Sequence, residues 1–67
     1  MMKIYVYFIA CRFIEKGKED VSRAEVGRPK PIEKIEDIEE IELFLQSKLG
    51  LDFVIITNYQ LLRTETL

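Results

Sequence analysis

The sequence predicts a single α+β domain: a three-stranded, mostly antiparallel sheet in the order 2-1-3 with one helix packed on one face, in the chain order β-β-α-β. Two long runs of β-branched and aromatic residues predict the first and the last strand along the chain. An apolar period of 3.6 residues between these runs predicts the helix. The length of 67 residues fits one domain. We place this domain at residues 1–62 and a frayed C-terminal tail at residues 63–67.

The first strand is predicted over residues 2–14, which are rich in β-branched and aromatic side chains and contain neither Gly nor Pro. Both faces of this strand are apolar, so the pattern places it in the centre of the sheet with a cover on each side. The two faces consist of Ile4, Val6, Phe8, Ala10, Arg12 and Ile14, and of Tyr5, Tyr7, Ile9, Cys11 and Phe13.

A hairpin turn and a shorter strand follow. Residues 15–20 are charged and include a glycine, which predicts the turn. Residues 21–26 alternate polar and apolar side chains, and their charges suit an edge strand. Pro29 and Pro31 then make a connector, because proline fixes φ and biases the residue before it away from the helical region.

The helix is predicted over residues 34–49 and the last strand over residues 52–62. Gly50 suits the left-handed position that ends many helices. No Ser, Thr or Asn marks the start of the helix, so its first residue is defined only to within two or three positions. Strict alternation in the last strand places Phe53, Ile55, Thr57, Tyr59 and Leu61 on one face, and Val54, Ile56, Asn58, Gln60 and Leu62 on the other.

One helix covers one face of such a sheet, which leaves the opposite apolar face without a cover. Exposed apolar patches of this size mark interaction surfaces, so we predict a homodimer. Two copies that stack their open faces would form a four-layer α-β-β-α dimer, and pairing through the edge of the last strand is a second geometry. The candidate interface residues are Tyr5, Tyr7, Ile9, Phe13, Asn58, Tyr59 and Gln60.

The composition argues against catalysis and against several classes of partner. The chain has no histidine and a single cysteine, Cys11, which has no imidazole to activate it. We therefore assign no catalytic, cofactor-binding or metal-binding residue and predict no enzyme activity. The net charge of −2 does not favour nucleic acid or an anionic membrane, and no apolar run approaches the roughly 20 residues that span a bilayer. We expect a cytoplasmic protein.

Two alternative functions stay open at this point. The first is binding of single-stranded nucleic acid, with Tyr5, Tyr7 and Tyr59 as a stacking platform on the open sheet face. The sequence lacks the basic groove that normally accompanies such a platform. The second is sequestration of a small molecule, such as a nucleotide, at the dimer interface.

The C-terminal half resembles small uncharacterised proteins encoded by bacteriophages and prophages. The resemblance rests on residues 35–38 (IEDI) at the start of the helix, residues 49–51 (LGL) at its end, and residues 54–62 (VIITNYQLL) in the last strand. This sequence departs from the pattern at Lys34, where a small capping residue is expected. The family has no assigned activity, so no residue role is carried over. The resemblance implies expression in a bacterial host and an accessory role, such as binding a host protein.

Overall fold

The computed structural model describes residues 2–67 and contains three strands and one helix. In chain order these are β1 (Lys3–Glu15), β2 (Lys18–Arg28), α1 (Ile35–Leu49) and β3 (Phe53–Thr66). The strands form one sheet in the order β2-β1-β3, and β1 is antiparallel to both neighbours. The predicted fold class, the strand order and the central position of β1 are confirmed.

A two-residue turn joins β1 to β2. Lys16 (φ 53°) and Gly17 (φ 80°) both have positive φ, and Glu15 pairs directly with Lys18. Positive φ at both central residues is the type I′ geometry, whose twist matches that of the flanking strands. The turn is therefore shorter than predicted and β2 is longer, because the charged residues after the turn lie exposed on an edge strand and still pair through their backbone.

Helix α1 begins after Lys34, which has an extended backbone with φ −151°. The carboxylate of Asp37 accepts hydrogen bonds from the backbone N–H groups of Glu33 at 3.0 Å and Lys34 at 3.2 Å. Asp37 at the third helical position therefore supplies the half of a capping box in which the side chain reaches back to N–H groups that precede the helix. Gly50 ends the helix in the left-handed conformation, as predicted, with φ 66°.

The core lies between α1 and the sheet. Ile9 on β1 and Ile41 on α1 are fully buried. The helix is held to both edges of the sheet, because Arg28 forms an ion pair with Glu40 at 3.2 Å and the N–H of Ile56 donates to the Glu42 carboxylate at 2.8 Å. The buried cluster is Tyr7, Ile9, Cys11, Val26, Ile41, Leu45 and Val54.

The residues predicted to form a frayed tail belong to the sheet. β3 extends to Thr66, and beyond it Leu67 and Met2 exchange two backbone hydrogen bonds of 2.8 and 3.3 Å. The prediction of a tail at residues 63–67 is corrected for a physical reason. Arg63 and Glu65 lie on the sheet face that α1 does not cover, where a charged side chain stays in water while its backbone pairs.

Two β-bulges interrupt the alternation of β3. Cys11 pairs with Ile56 whereas Ala10 pairs with Asn58, so Thr57 is an extra residue, and a second shift lies between the partners of Val6 and Tyr7. A bulge inserts one residue into one strand and changes which face the following side chains occupy. The faces predicted from strict alternation are therefore corrected. Val54, Ile56, Tyr59 and Leu61 lie on the face toward α1, and Phe53, Ile55, Asn58 and Gln60 lie on the open face.

The sheet is much longer than the helix that covers it. The 15 residues of α1 rise about 22 Å, whereas the 14 residues of β3 extend about 40 Å, close to the 42 Å length of the molecule. Because α1 is followed directly by the start of β3 and bonds to Ile56, it covers the first half of that strand. The second half of β3, from about residue 58 onward, has no helix above it.

Candidate functional site

The seven predicted interface residues do not form one surface. Tyr5, Tyr7, Ile9 and Phe13 lie on the face of β1 that α1 covers, and Tyr7 and Ile9 are buried there. Asn58 and Gln60 lie on the opposite face, where they pair with Ala10 and Phe8. Tyr59 is opposite Ile9, on the helix side. The face assignment for the four β1 residues is therefore corrected, because these side chains form and flank the monomer core.

The prediction that Tyr5, Tyr7 and Tyr59 form a stacking platform on the open sheet face is also corrected. The ring of Tyr7 is buried, and its hydroxyl accepts a hydrogen bond from the N–H of Ile32 at 2.8 Å. Tyr59 contacts Tyr7 edge to face, with ring centroids 5.9 Å apart and an angle of 71° between the ring planes. A buried, edge-contacted ring does not offer a flat face to a base. The three tyrosines therefore do not make the surface that stacking requires.

Ion pairs cross the open face of the sheet. Arg63 on β3 bonds Glu25 on β2 at 2.8 Å, so its side chain crosses the central strand, and it also bonds Glu65 at 2.9 Å. Val6, the β1 partner of Arg63, is buried although it lies on this face. Glu25 and then Glu65 raise the pKa of Arg63 above its ordinary value. A second copy stacked on this face would have to desolvate these charges, which is unfavourable.

β3 exposes a row of large apolar side chains, which we call the β3 apolar strip. It lies partly on each side of the sheet and borders the free edge of the strand. Only Tyr59 of this strip was among the predicted interface residues. The others were missed because a β-branched run is typical of a buried strand, and only the short helix leaves them uncovered. The members, each between 40% and 49% exposed, are Phe53, Ile55, Tyr59, Leu61 and Leu62.

Two side chains occupy backbone donors along the first half of the free edge of β3. Glu42 accepts from the N–H of Ile56 at 2.8 Å, and the Asn58 side-chain oxygen accepts from the N–H of Tyr59 at 2.8 Å. An edge donor that is already bonded is less able to pair with a strand of another chain. We call Glu42 and Asn58 the edge guards.

The second half of the same edge is open. Leu67 and Met2 exchange both backbone hydrogen bonds, and antiparallel pairs alternate between bonded and non-bonded types. The pairs Tyr5–Thr64 and Lys3–Thr66 are therefore of the type that exchanges no backbone hydrogen bonds. The N–H and C=O groups of Thr64 and Thr66 point away from β1, and no side chain in residues 2–67 is bonded to them.

Removal of the edge guards is expected to cause aggregation. In the double variant Glu42→Ala/Asn58→Ala, the N–H groups of Ile56 and Tyr59 become free beside exposed apolar side chains, which is the arrangement that recruits further strands. We expect light scattering and thioflavin fluorescence to rise faster than in the wild type, with an unchanged circular dichroism spectrum in freshly prepared protein.

The matched control for the edge guards is Glu39→Ala/Gln60→Ala. Like the edge-guard variant, it removes one glutamate from α1 and one side-chain amide from the open face of β3. Neither Glu39 nor Gln60 has a side-chain hydrogen bond to another of residues 2–67, so this variant is expected to behave as the wild type. Equal rates of aggregation for the two double variants would show that Glu42 and Asn58 do not protect the edge.

The groups with reactive potential are buried or dispersed. Burial raises the pKa of the Cys11 thiol, so it is protonated and weakly nucleophilic at neutral pH. Among residues 2–67, no three His, Cys, Asp or Glu side chains converge as a metal site would require. Within the same residues, no helix has the length and apolarity needed to cross a bilayer.

Comparisons with known proteins leave the geometry as the basis for a functional conclusion. A scan against protein-family models and searches of curated proteins and of solved structures found no match to this chain.

Proposed function

We propose that the protein is a non-enzymatic, homodimeric protein-interaction module that associates through β3. The observation that carries the proposal is the β3 apolar strip, whose last two members, Leu61 and Leu62, are exposed beside the unguarded half of a sheet edge. Apolar groups next to free backbone donors and acceptors favour the addition of a strand from another chain. In the accessory role that the resemblance to phage proteins implies, the dimer would bind a bacterial host protein.

The edge is a better interface than the open face that the sequence suggested. Stacking two open faces would place the Arg63–Glu25 and Arg12–Glu19 ion pairs between two sheets, away from water. Pairing along β3 leaves these charges at the solvent and uses backbone groups that otherwise bond only to water. The six-stranded sheet that results needs no rearrangement of the core.

The mass in solution tests this proposal directly. Sedimentation velocity over a wide range of protein concentrations is expected to show a species of twice the 7.9 kDa chain mass that dissociates on dilution. The double variant Leu61→Ser/Leu62→Ser makes the unguarded half less apolar. It is expected to form the dimer only at higher protein concentrations than the wild type does. Leu43→Ser, the same change at a more exposed position on α1, serves as the control. A monomer at every concentration would overturn the proposal.

A further inference from the structure

We infer that two copies of the chain pair their β3 strands antiparallel about a two-fold axis at Thr64. This inference rests on the proposed self-association and adds its register. In this register Thr64 lies opposite Thr64 of the second copy, and Arg63 of each copy lies opposite Glu65 of the other. The partner is therefore a second copy of this chain, and the segment that joins them is residues 61–67.

The hydrogen-bonding pattern of β3 supplies the first argument. The N–H and C=O groups of Thr64 lie in the plane of the sheet and point away from β1. This follows from the bonded Met2–Leu67 pair and the register of β1 with β3. A residue on a two-fold axis of this kind can exchange both bonds with its own copy, which forms a bonded antiparallel pair. The donors held by the edge guards, at Ile56 and Tyr59, lie outside the overlap.

The charges on either side of Thr64 supply the second argument. Arg63 and Glu65 lie on the same face, one residue before and one residue after the axis. A two-fold operation exchanges these positions, so each cation meets a carboxylate of the other copy. Pairing centred on Arg63 or on Glu65 would place that residue opposite itself, and like charges directly opposite each other are destabilising. Two antiparallel copies of the segment Arg63-Thr64-Glu65 are therefore complementary in charge.

The geometry of the helix agrees with this register. A two-fold axis perpendicular to the sheet puts both copies of α1 on one face of a continuous six-stranded sheet. Each α1 covers the first half of its own β3, and the uncovered second halves meet at the centre. Leu62 then lies opposite Thr66 of the second copy, on the same side of the sheet as Leu61.

A cysteine cross-link tests the position of the axis. Thr64→Cys, in a background where Cys11→Ala removes the natural thiol, is expected to form a disulfide-linked dimer with glutathione disulfide as oxidant. The Cα atoms of a bonded antiparallel pair lie about 5.5 Å apart, a separation that a disulfide spans. The control is Thr66→Cys in the same background. Residue 66 has the same orientation as residue 64: its backbone N–H and C=O point to the free edge, and its side chain lies on the same face of the sheet. Its Cα lies about 14 Å from its copy in this register, so it is expected not to cross-link.

A mixing experiment tests the charge pairing. Arg63→Glu alone places carboxylates opposite each other twice in a dimer, and Glu65→Arg alone does the same with cations. Each variant by itself is expected to dimerise on the order of tenfold more weakly at low ionic strength. An equimolar mixture restores opposite charges at both positions and is expected to regain the wild-type affinity. Thermal melts by circular dichroism confirm that each variant is folded, since Arg63 also bonds Glu25 and Glu65 within the chain.

The outcomes separate this register from the proposed function. A dimer in solution, a link at position 64 only, and restoration on mixing support the register. A dimer with no link at position 64 and no restoration overturns the register but leaves self-association standing. A chain that is monomeric throughout overturns both. Because the cross-linking variant keeps Arg63 and Glu65, a folding defect in the charge variants does not remove the test.

Discussion

Replacing Ile41 by alanine is expected to destabilise the fold by about 2–5 kcal/mol. Ile41 is fully buried at the centre of α1, in the same cluster as Ile9 and Val54. Truncation removes buried methyl and methylene groups and leaves a cavity that a single helix on a sheet closes only in part. A domain of this size has a total stability of about 3–10 kcal/mol, so this one change removes a large share of it.

The measurement is urea denaturation at a fixed protein concentration, because a dimer makes apparent stability depend on concentration. Leu43→Ala is the matched control on the same helix. Its side chain is 67% exposed, so we expect a change within about 0.5 kcal/mol. If the two variants lose the same free energy of unfolding, the helix does not pack through the face that contains Ile41.

The order and type of the elements follow from local patterns in the sequence. The β-branched runs, the change of period at the connector and the glycine after the helix each depend on neighbouring residues. These features predicted β1, α1 and β3 with small errors at their ends. The start of α1 was ambiguous because its cap is Asp37, three residues inside the helix, rather than the residue before it. A carboxylate at the third helical position is the sequence feature that marks this type of start.

The choice of the covered sheet face did not follow from hydrophobicity. Both faces of β1 are apolar, so periodicity alone does not decide between them. A weaker feature does agree with the structure: the covered face of β1 has no charged side chain between Tyr5 and Phe13, whereas the open face contains Arg12. In the folded chain the connector also contacts the covered face, since the N–H of Ile32 bonds the hydroxyl of Tyr7.

The candidate site depended on long-range features that a strict alternation misses. The bulges in β3 become visible only when its residues are matched to those of β1, about 45 positions earlier at the Thr57 bulge. The mostly polar residues 63–67 are predicted to fray because their partners, at the start of β1, are the most distant in the chain. These partners extend β3 past the helix, and the extension creates the open edge at Thr64.

Replacing Asp37 by asparagine is expected to change how stability depends on pH. Hydrogen bonds from the N–H of Glu33, and also from that of Lys34, lower the pKa of Asp37, with a further contribution from Lys30, whose Nζ lies 3.5 Å away. In the unfolded chain the carboxyl has a pKa of about 3.9. A lowered pKa in the fold means that the unfolded state binds the proton more tightly. The stabilisation is therefore present above about pH 4 and is lost as pH falls through the lowered pKa.

Denaturation midpoints measured between about pH 2 and pH 7 test this expectation for Asp37. Asp37→Asn should be less stable than the wild type at neutral pH, and the two proteins should converge in acid, where the wild-type carboxyl is also neutral. Glu36→Gln is the matched control, since it removes one charge from the same helical turn at an exposed position that makes no side-chain hydrogen bond within residues 2–67. A gap between wild type and Asp37→Asn that stays constant down to pH 2 would mean that ionisation of this carboxyl does not stabilise the helix start.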